Sequence, residues 1–101
     1  MTAYNVVRFR VKPGEERAFE ELFRSIPRPF DGMRKAALIK TGDRTYCSIA
    51  EWESFDHIVG ARPQMIGNLD GFRHLLEEFA DGAGVTDAVS GEAVFEITPN
   101  G

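Results

Sequence analysis

Two polar side chains fall on predicted apolar faces, where each could bind a small ligand. Arg62 continues an apolar stripe at helical spacing that is formed by Phe55, Ile58 and Val59. Its guanidinium could donate charge-assisted hydrogen bonds to an anionic or phenolate oxygen. Alternatively, its stem packs on the core while its head reaches water. Asn5 lies on the apolar face of the first predicted strand, where a buried amide either lines a polar pocket or bonds backbone at the sheet edge.

One aromatic residue and two histidines are the remaining candidates. Trp52, the only tryptophan, ends a predicted strand, and its ring could stack on a flat ligand or anchor the strand in the core. His74 and His57 could each act as a general base. Both fall off the apolar stripes of their helical segments, which is also typical of surface histidines. Neither has cysteines or patterned carboxylates nearby, so we expect no metal site.

Composition restricts the class of protein. The chain has 101 residues, 43% of them apolar, and a net charge of −4, which predicts a single globular domain over residues 1–101. The acidic balance argues against a nucleic-acid partner, because that affinity rests on Lys and Arg. The N-terminal region turns polar too soon for a signal peptide, and no apolar run approaches a membrane span. We therefore expect a cytoplasmic protein. The one cysteine, Cys47, cannot form a disulfide within the chain.

Hydrophobic periodicity predicts four strands and two helical regions in the order β-α-β-β-α-β. The predicted strands are 4–12, 33–40, 45–53 and 92–98, and the predicted helical regions are 15–26 and 54–80. Ser54 should cap the second region, and Pro63 should break it into two segments. This order is that of the α+β, ferredoxin-like fold, with helices over one face of a four-stranded antiparallel sheet.

The other face of that sheet lacks a cover in the predicted fold. Val6, Cys47 and Ile49 lie on it among charged residues, and an exposed apolar patch commonly marks association. We therefore expect a homodimer with the two sheets face to face. Charges on this face are expected to pair within or across subunits, Arg8 and Arg10 with Glu51 and Glu53.

Three segments carry a resemblance to a known family. The run VVRFRVKPG ending at Gly14, the run FDGM at 30–33 and the run EWES at 51–54 resemble the antibiotic biosynthesis monooxygenase-like family, over about residues 4–97. The resemblance implies a ferredoxin-like protomer, a dimeric α/β barrel and a pocket between sheet and helices. Members of the family include monooxygenases without a cofactor, haem-degrading enzymes and proteins of no assigned activity.

The haem-degrading branch of the family relies on an Asn, a Trp and a His. In this sequence the corresponding positions hold Val7, Ala61 and a residue near Gly71, with Asn5 and His74 displaced by two and three residues. All three positions depart from the pattern, so we expect no haem degradation.

Two hypotheses for function remain open. The first, implied by the resemblance, is a monooxygenase-like enzyme with no bound cofactor, acting on a small aromatic or polycyclic compound, with Arg62 and Asn5 as its polar contacts. The second is a non-catalytic dimer that binds a small ligand or serves another enzyme. An open, polar-edged cavity favours ligand binding, whereas a cavity filled by Phe side chains would oppose it.

Overall fold

The secondary structure has the order β-α-β-β-α-β that the sequence predicts. The structure is a computed structural model that describes residues 1–27, 30–79 and 84–99. Its strands are Ala3–Arg10 (β1), Met33–Lys40 (β2), Thr45–Trp52 (β3) and Thr86–Glu92 (β4). Its helices are Glu16–Ser25 (α1) and Phe55–Asp70 (α2), and a short 3₁₀ turn follows at Arg73–Leu75. The ferredoxin-like fold class is therefore confirmed.

The four strands form one antiparallel sheet in the order β2-β3-β1-β4. The central strand β1 pairs on both sides, so that Asn5 stands opposite Ala50 of β3 and Ser90 of β4. Successive side chains of a strand point to opposite faces. Phe9 packs against Phe19 of α1, with ring centroids 5.4 Å apart, so the face of β1 that holds Asn5 and Phe9 is the inner, helix-covered face.

Aromatic rings hold α1 against the sheet. Phe19 is fully buried, and its ring lies 4.9 Å from that of Tyr46 and 5.6 Å from that of Phe72. Tilted and edge-on ring pairs of this kind contribute beyond their buried area. The helix ends at Ser25, before Pro27, which has no backbone N–H to continue it.

The predicted break of the second helical region at Pro63 is wrong. Helix α2 runs without interruption from Phe55 to Asp70, capped by Ser54 as predicted. An interior proline costs a helix about 3 kcal/mol, but Ile58 before Pro63 and Met65 after it pack in the same core cluster. Burial on both sides of the proline therefore keeps the two turns in one helix. Neither helix of the described residues is long and apolar enough to cross a membrane.

The chain beyond α2 also differs from the prediction, which extended the helix to about residue 80. After the 3₁₀ turn the chain is extended alongside the end of β1, where the Glu77 N–H donates to the Arg10 carbonyl at 2.8 Å and the Lys12 N–H to the Leu75 carbonyl at 2.8 Å. Leu75 and Leu76 are buried there. Gly71 ends the helix, and the free backbone at the end of β1 pairs with the segment that follows. Residue 80 itself lies outside the described residues.

The last strand is displaced from its predicted position. It spans Thr86–Glu92, not 92–98. The segment 93–98 has the stronger apolar alternation, but the chain there has already passed the start of β1, which begins at Ala3 opposite Glu92. The bounds of β4 are set by pairing with β1, and β1 is long enough to pair only with the residues from Thr86 to Glu92.

The outer face of the sheet carries an apolar row, as expected. The row crosses all four strands in register and consists of Ala37, Ile49, Val6 and Val89. Charged side chains flank the row. Arg8 and Arg10 were expected to pair with Glu51 and Glu53, but within the chain these residues have other contacts. Arg8 bonds Asp87 at 3.2 Å, Arg10 lies over the ring of Phe79 at 5.3 Å, and Glu51 lies 3.8 Å from Arg34.

Candidate ligand cavity

A cavity of about 870 Å³ lies between the inner face of the sheet and the helices. Its floor consists of inward-facing side chains from all four strands, arranged in three rows. From the start of β1 the rows are Ala36, Ala50, Asn5 and Ser90, then Leu38, Ser48, Val7 and Ala88, then Lys40, Tyr46, Phe9 and Thr86. Alternate residues of a strand are about 6.6 Å apart, so the three rows span about 13 Å.

Small side chains create this space. Five of the eight positions in the first two rows are Ala or Ser, so the floor there is low, and Ala36 is exposed although it faces inward. In the third row the rings of Phe9 and Tyr46 meet Phe19 and fill the space below α1. The phenylalanines therefore close one end of the cavity and leave the rest open.

The first row brings Arg62 and Asn5 to the same cavity. Arg62 stands on α2 at the edge of the cavity, where a guanidinium N–H donates to Ser90 Oγ at 3.3 Å. Its guanidinium also lies 5.7 Å from the ring centroid of Phe55. Asn5 is partly buried in the floor, and its amide N–H contacts Met65 Sδ at 3.8 Å. A thioether is a weak acceptor, so the described residues use little of the hydrogen-bonding capacity of the amide.

A second polar group, which was not among the predicted site residues, lies at the third row. The buried Tyr46 hydroxyl donates to Glu20 Oε2 of α1 at 2.5 Å, while Lys40 lies over the Tyr46 ring at 5.7 Å. Burial first, and then the Glu20 carboxylate, raise the pKa of the Tyr46 phenol above its ordinary value. Glu20 and Arg24, one turn apart beside the apolar stripe of α1, both line the cavity. In the sequence, the positions of these two charged residues beside the apolar stripe could have indicated a polar group at the cavity.

Trp52 lies apart from Asn5 and Arg62. It is fully buried in a second core cluster with Ile58, and its ring centroid is 5.8 Å from that of Phe30. Its Nε1 atom is buried and makes no hydrogen bond within the described part of the chain. The indole thus joins β3 to α2, and it does not belong to the cavity lining.

Neither histidine lies in the large cavity. His74 is exposed in the 3₁₀ turn. His57 lines a smaller cavity of about 460 Å³, where its Nδ1 lies 2.7 Å from Ser54 Oγ and its Nε2 lies 3.8 Å from a carboxylate oxygen of Asp31. Across the described ranges, no group of three or more His, Cys, Asp and Glu side chains could hold a metal ion.

The chemistry of the cavity suits a flat ligand that carries an acidic oxygen. The apolar floor accepts an aromatic face, and the cavity edge carries three cations, Arg24, Lys40 and Arg62, with the Glu20 carboxylate already bound by Tyr46. Charge-assisted hydrogen bonds from such cations are about twice as strong as neutral ones. The open, polar-edged cavity is the feature expected of a ligand-binding protein.

Sequence comparison identifies a family for more than half of the chain. The family model described as antibiotic biosynthesis monooxygenase matches residues 2–62. No curated protein matches the sequence significantly.

Several solved structures share the fold. SnoaB from Streptomyces nogalater, described as a cofactor-independent oxygenase, was solved in a mutant form that aligns with a TM-score of 0.73 and 19% identity, over 97% of this chain and 98% of that one. The monooxygenase from the gene ActVA-Orf6 of Streptomyces coelicolor, solved with the ligand nanaomycin D, gives a TM-score of 0.71 and 22% identity, over 97% and 92% of the two chains. NE2512 from Nitrosomonas europaea, of unknown function, gives a TM-score of 0.73 and 17% identity, over 99% and 96%.

Proposed function

The chain belongs to the antibiotic biosynthesis monooxygenase family, and on that premise we propose that it is a cofactor-independent, monooxygenase-like enzyme acting on a small aromatic or polycyclic compound with an acidic hydroxyl or carboxylate. The observation that carries the proposal is the open cavity with Asn5 and Arg62 at one end of a floor of small side chains. The oxygenase and monooxygenase names of two proteins with the same fold support it.

The proposed chemistry assigns a limited role to the protein. A hydroquinone-type ring that has lost a hydroxyl proton would supply all four electrons that reduce dioxygen. One oxygen atom is inserted into a ring C–H bond, and the other leaves as water with the two hydroxyl hydrogens as the hydroquinone becomes a quinone. The protein holds the ring anion in a preorganised electrostatic environment. Arg62 would bind the anionic oxygen, with Asn5 as a second hydrogen-bond donor. The small side chains of the first two rows, which lie about 6.6 Å apart, would allow the flat ring system to lie directly on the sheet.

We test ligand recognition with two probes, 2-hydroxy-1,4-naphthoquinone, which is flat and acidic, and 1,4-naphthoquinone, which is neutral. Arg62→Met should weaken binding of the hydroxyquinone about ten- to a hundredfold, because a hydrogen bond to a charged group contributes about 1.5–3 kcal/mol. The neutral quinone should bind both proteins alike. Arg73→Met is the matched control, since Arg73 is exposed, pairs with Asp70 at 3.1 Å and lies outside the cavity.

Catalysis is tested separately from binding. We supply 1,4-dihydroxynaphthalene and a panel of fused-ring phenols under ¹⁸O₂ and measure label in the products by mass spectrometry, with and without protein. Protein-dependent incorporation of one labelled oxygen atom supports the enzyme. Binding without any incorporation across the panel would favour the alternative, a non-catalytic protein that binds small ligands or assists another enzyme.

We further propose that the protein is a cytoplasmic homodimer with its outer sheet faces in contact. The apolar row that Ala37, Ile49, Val6 and Val89 form across the sheet supports this assembly, because an isolated subunit leaves it in water. A two-fold axis through the outer face would bring the same row of both subunits together. Sedimentation equilibrium at micromolar concentration should give twice the 11.3 kDa chain mass, and an 11.3 kDa species alone would contradict the dimer.

A further inference from the structure

The proposed reaction requires a group that accepts a proton, and the end of the cavity that holds Arg62 and Asn5 offers none. We call these two residues the anion end. A guanidinium has hydrogen-bond donors and no acceptor, and a carboxamide does not titrate. Arg62 can therefore stabilise an anion once it has formed, but the hydroxyl proton of the ring must pass to another group.

In the described lining of the cavity, Glu20 is the side chain that can take up this proton. The titratable side chains among the described lining residues are Glu20, Arg24, Lys40, Tyr46 and Arg62. Lysine and arginine side chains hold their protons at neutral pH. Tyr46 also keeps its proton, because burial and then Glu20 raise the pKa of its phenol. A glutamate carboxylate is ordinarily ionised at neutral pH and is the proton acceptor that remains.

The fold holds this carboxylate at the wall of the cavity. Glu20 follows the fully buried Phe19 on α1, and its Oε2 atom accepts the hydrogen bond of the Tyr46 hydroxyl at 2.5 Å. No described residue bonds its Oε1 atom, so that atom is able to accept a proton from a ligand. Glu20 is partly exposed, which allows the carboxylate to exchange protons with water between turnovers. We call Glu20 and Tyr46 the acceptor end.

The distance between the two ends constrains the ligand. Asn5 belongs to the first row of the cavity floor and Tyr46 to the third, and these rows are about 13 Å apart. Arg62 reaches the first row from α2, where it bonds Ser90, whereas Glu20 reaches the third row from α1. One oxygen atom cannot contact both ends. A ligand that contacts both therefore carries two oxygen atoms, on opposite ends of its ring system.

We propose that Glu20 is the general base of the cavity, and that its substrate is a fused-ring hydroquinone with one oxygen at the anion end and an ionising hydroxyl at the acceptor end. The inference rests on the proposed oxygenation and adds the residue that moves its proton. The hydroxyl O–H bond breaks, the proton binds Glu20 Oε1, and the electron pair stays on the ring that dioxygen oxidises. Glu20 then returns the proton to the oxygen atom that leaves as water.

The first test detects the proton acceptor without turnover. In 6-hydroxy-2-naphthoic acid the carboxylate and the hydroxyl lie at opposite ends of a flat ring pair. The hydroxyl becomes a strong acid on excitation, and the naphtholate emits at a longer wavelength than the naphthol. With the carboxylate at Arg62, the bound probe should emit as naphtholate in the wild type at pH 7. Glu20→Gln still accepts a hydrogen bond from Tyr46, and it should bind the probe but lose most of the naphtholate emission.

Two controls accompany this test. Glu21→Gln makes the same change at the next position of α1, which is exposed and outside the cavity lining, and it should match the wild type. In 3-hydroxy-2-naphthoic acid the hydroxyl lies beside the carboxylate and cannot reach the acceptor end. Its emission should therefore be the same in the wild type and in Glu20→Gln.

The second test measures turnover with the substrate of the panel that incorporates the most ¹⁸O. Glu20→Gln should lower kcat at least about a hundredfold with little change in KM, because a general base contributes about 10²–10⁴-fold. Glu21→Gln should leave both constants unchanged. Added formate should restore activity to Glu20→Ala and should not stimulate the wild type. A purely structural role of Glu20 in bonding Tyr46 would not produce this rescue.

The outcomes separate the general base from the proposed function. Oxygenation that Glu20→Gln leaves unchanged overturns the general base and leaves the proposed function standing. No oxygenation across the panel, together with naphtholate emission that depends on Glu20, overturns the proposed reaction and retains Glu20 as the proton acceptor of the cavity. A wild type that does not bind the 6-hydroxy probe, or equal naphtholate emission from the wild type and Glu20→Gln, overturns the inference.

Discussion

Tyr46→Phe tests whether the hydrogen bond between the sheet and α1 stabilises the fold beside the cavity. The substitution keeps the ring and its packing 4.9 Å from Phe19 and removes only the hydroxyl, which donates to Glu20 Oε2 at 2.5 Å. A hydrogen bond to a charged group contributes about 1.5–3 kcal/mol. Glu20 is partly exposed on the cavity side and regains water when the phenol is lost, so we expect a loss of about 1–2 kcal/mol at pH 7. For a chain of this size that lowers Tm by about 4–16 °C.

The pH dependence of the same variant provides a second, independent measure. Burial and Glu20 raise the pKa of Tyr46 above its ordinary value of 10.0. The folded state therefore keeps the phenol protonated where the unfolded chain ionises, so this stabilisation is fully present below about pH 10 and is lost as the pH rises further. At pH 11 the wild type should have lost about 1.4 kcal/mol of its advantage over Tyr46→Phe.

Urea unfolding of both proteins at pH 7, 9 and 11 measures the two effects. Tyr4 titrates in both proteins and cancels in the difference. Tyr4→Phe is the comparison, because it also removes one hydroxyl, which lies 3.4 Å from Glu51 and 3.2 Å from Glu96 and does not join the sheet to a helix. We expect it to cost less stability than Tyr46→Phe. In a Glu20→Gln background, Tyr46→Phe should cost less stability than it does in the wild type, since the two residues share one interaction. Equal stability of wild type and Tyr46→Phe at pH 7, with parallel curves up to pH 11, would refute the reasoning.

Two further predictions concern the backbone near His57 and the haem-degrading branch of the family. Gly32→Ala should lower the free energy of unfolding, measured in urea, by at least about 2 kcal/mol. Gly32 has φ +87°, a left-handed conformation that is costly for alanine, and an added Cβ would also overlap the His57 ring. Gly14→Ala, with φ +81° and open space around the Cβ position, should cost only about 1 kcal/mol, and equal losses at both sites would exclude the clash. Incubation with haem and a reductant should leave the Soret band as in a protein-free control, because the sequence lacks the Asn, Trp and His pattern of haem degradation, and protein-dependent bleaching with release of iron would contradict this.

Local sequence determined the elements whose residues alternate or repeat in a way that only one structure satisfies. In β1 the inward positions include Asn5, Val7 and Phe9 and the outward ones include Arg8 and Arg10, an alternation that predicts both the strand and its faces. The stripe that includes Phe19 and Phe23 likewise predicts α1, and the short loop from Lys40 to Thr45 predicts the antiparallel β2–β3 hairpin. The position of Arg62 after three apolar residues placed it on the cavity side of α2, although not at its partner Ser90.

Tertiary contacts decided the features that local pattern left open. Pro63 lies inside a continuous helix because core packing of Ile58 and Met65 outweighs a local cost, and β4 begins at Thr86 because β1 ends where it does. The Tyr46–Glu20 bond joins residues 26 apart in sequence. The position of Glu20 beside the apolar stripe of α1 indicates a polar group at the cavity, but it does not indicate that Tyr46 is the partner. The cavity itself exists because strand register collects small side chains from three separate strands, β2, β3 and β4, over one area. Register is a property of the assembled sheet that no single strand contains.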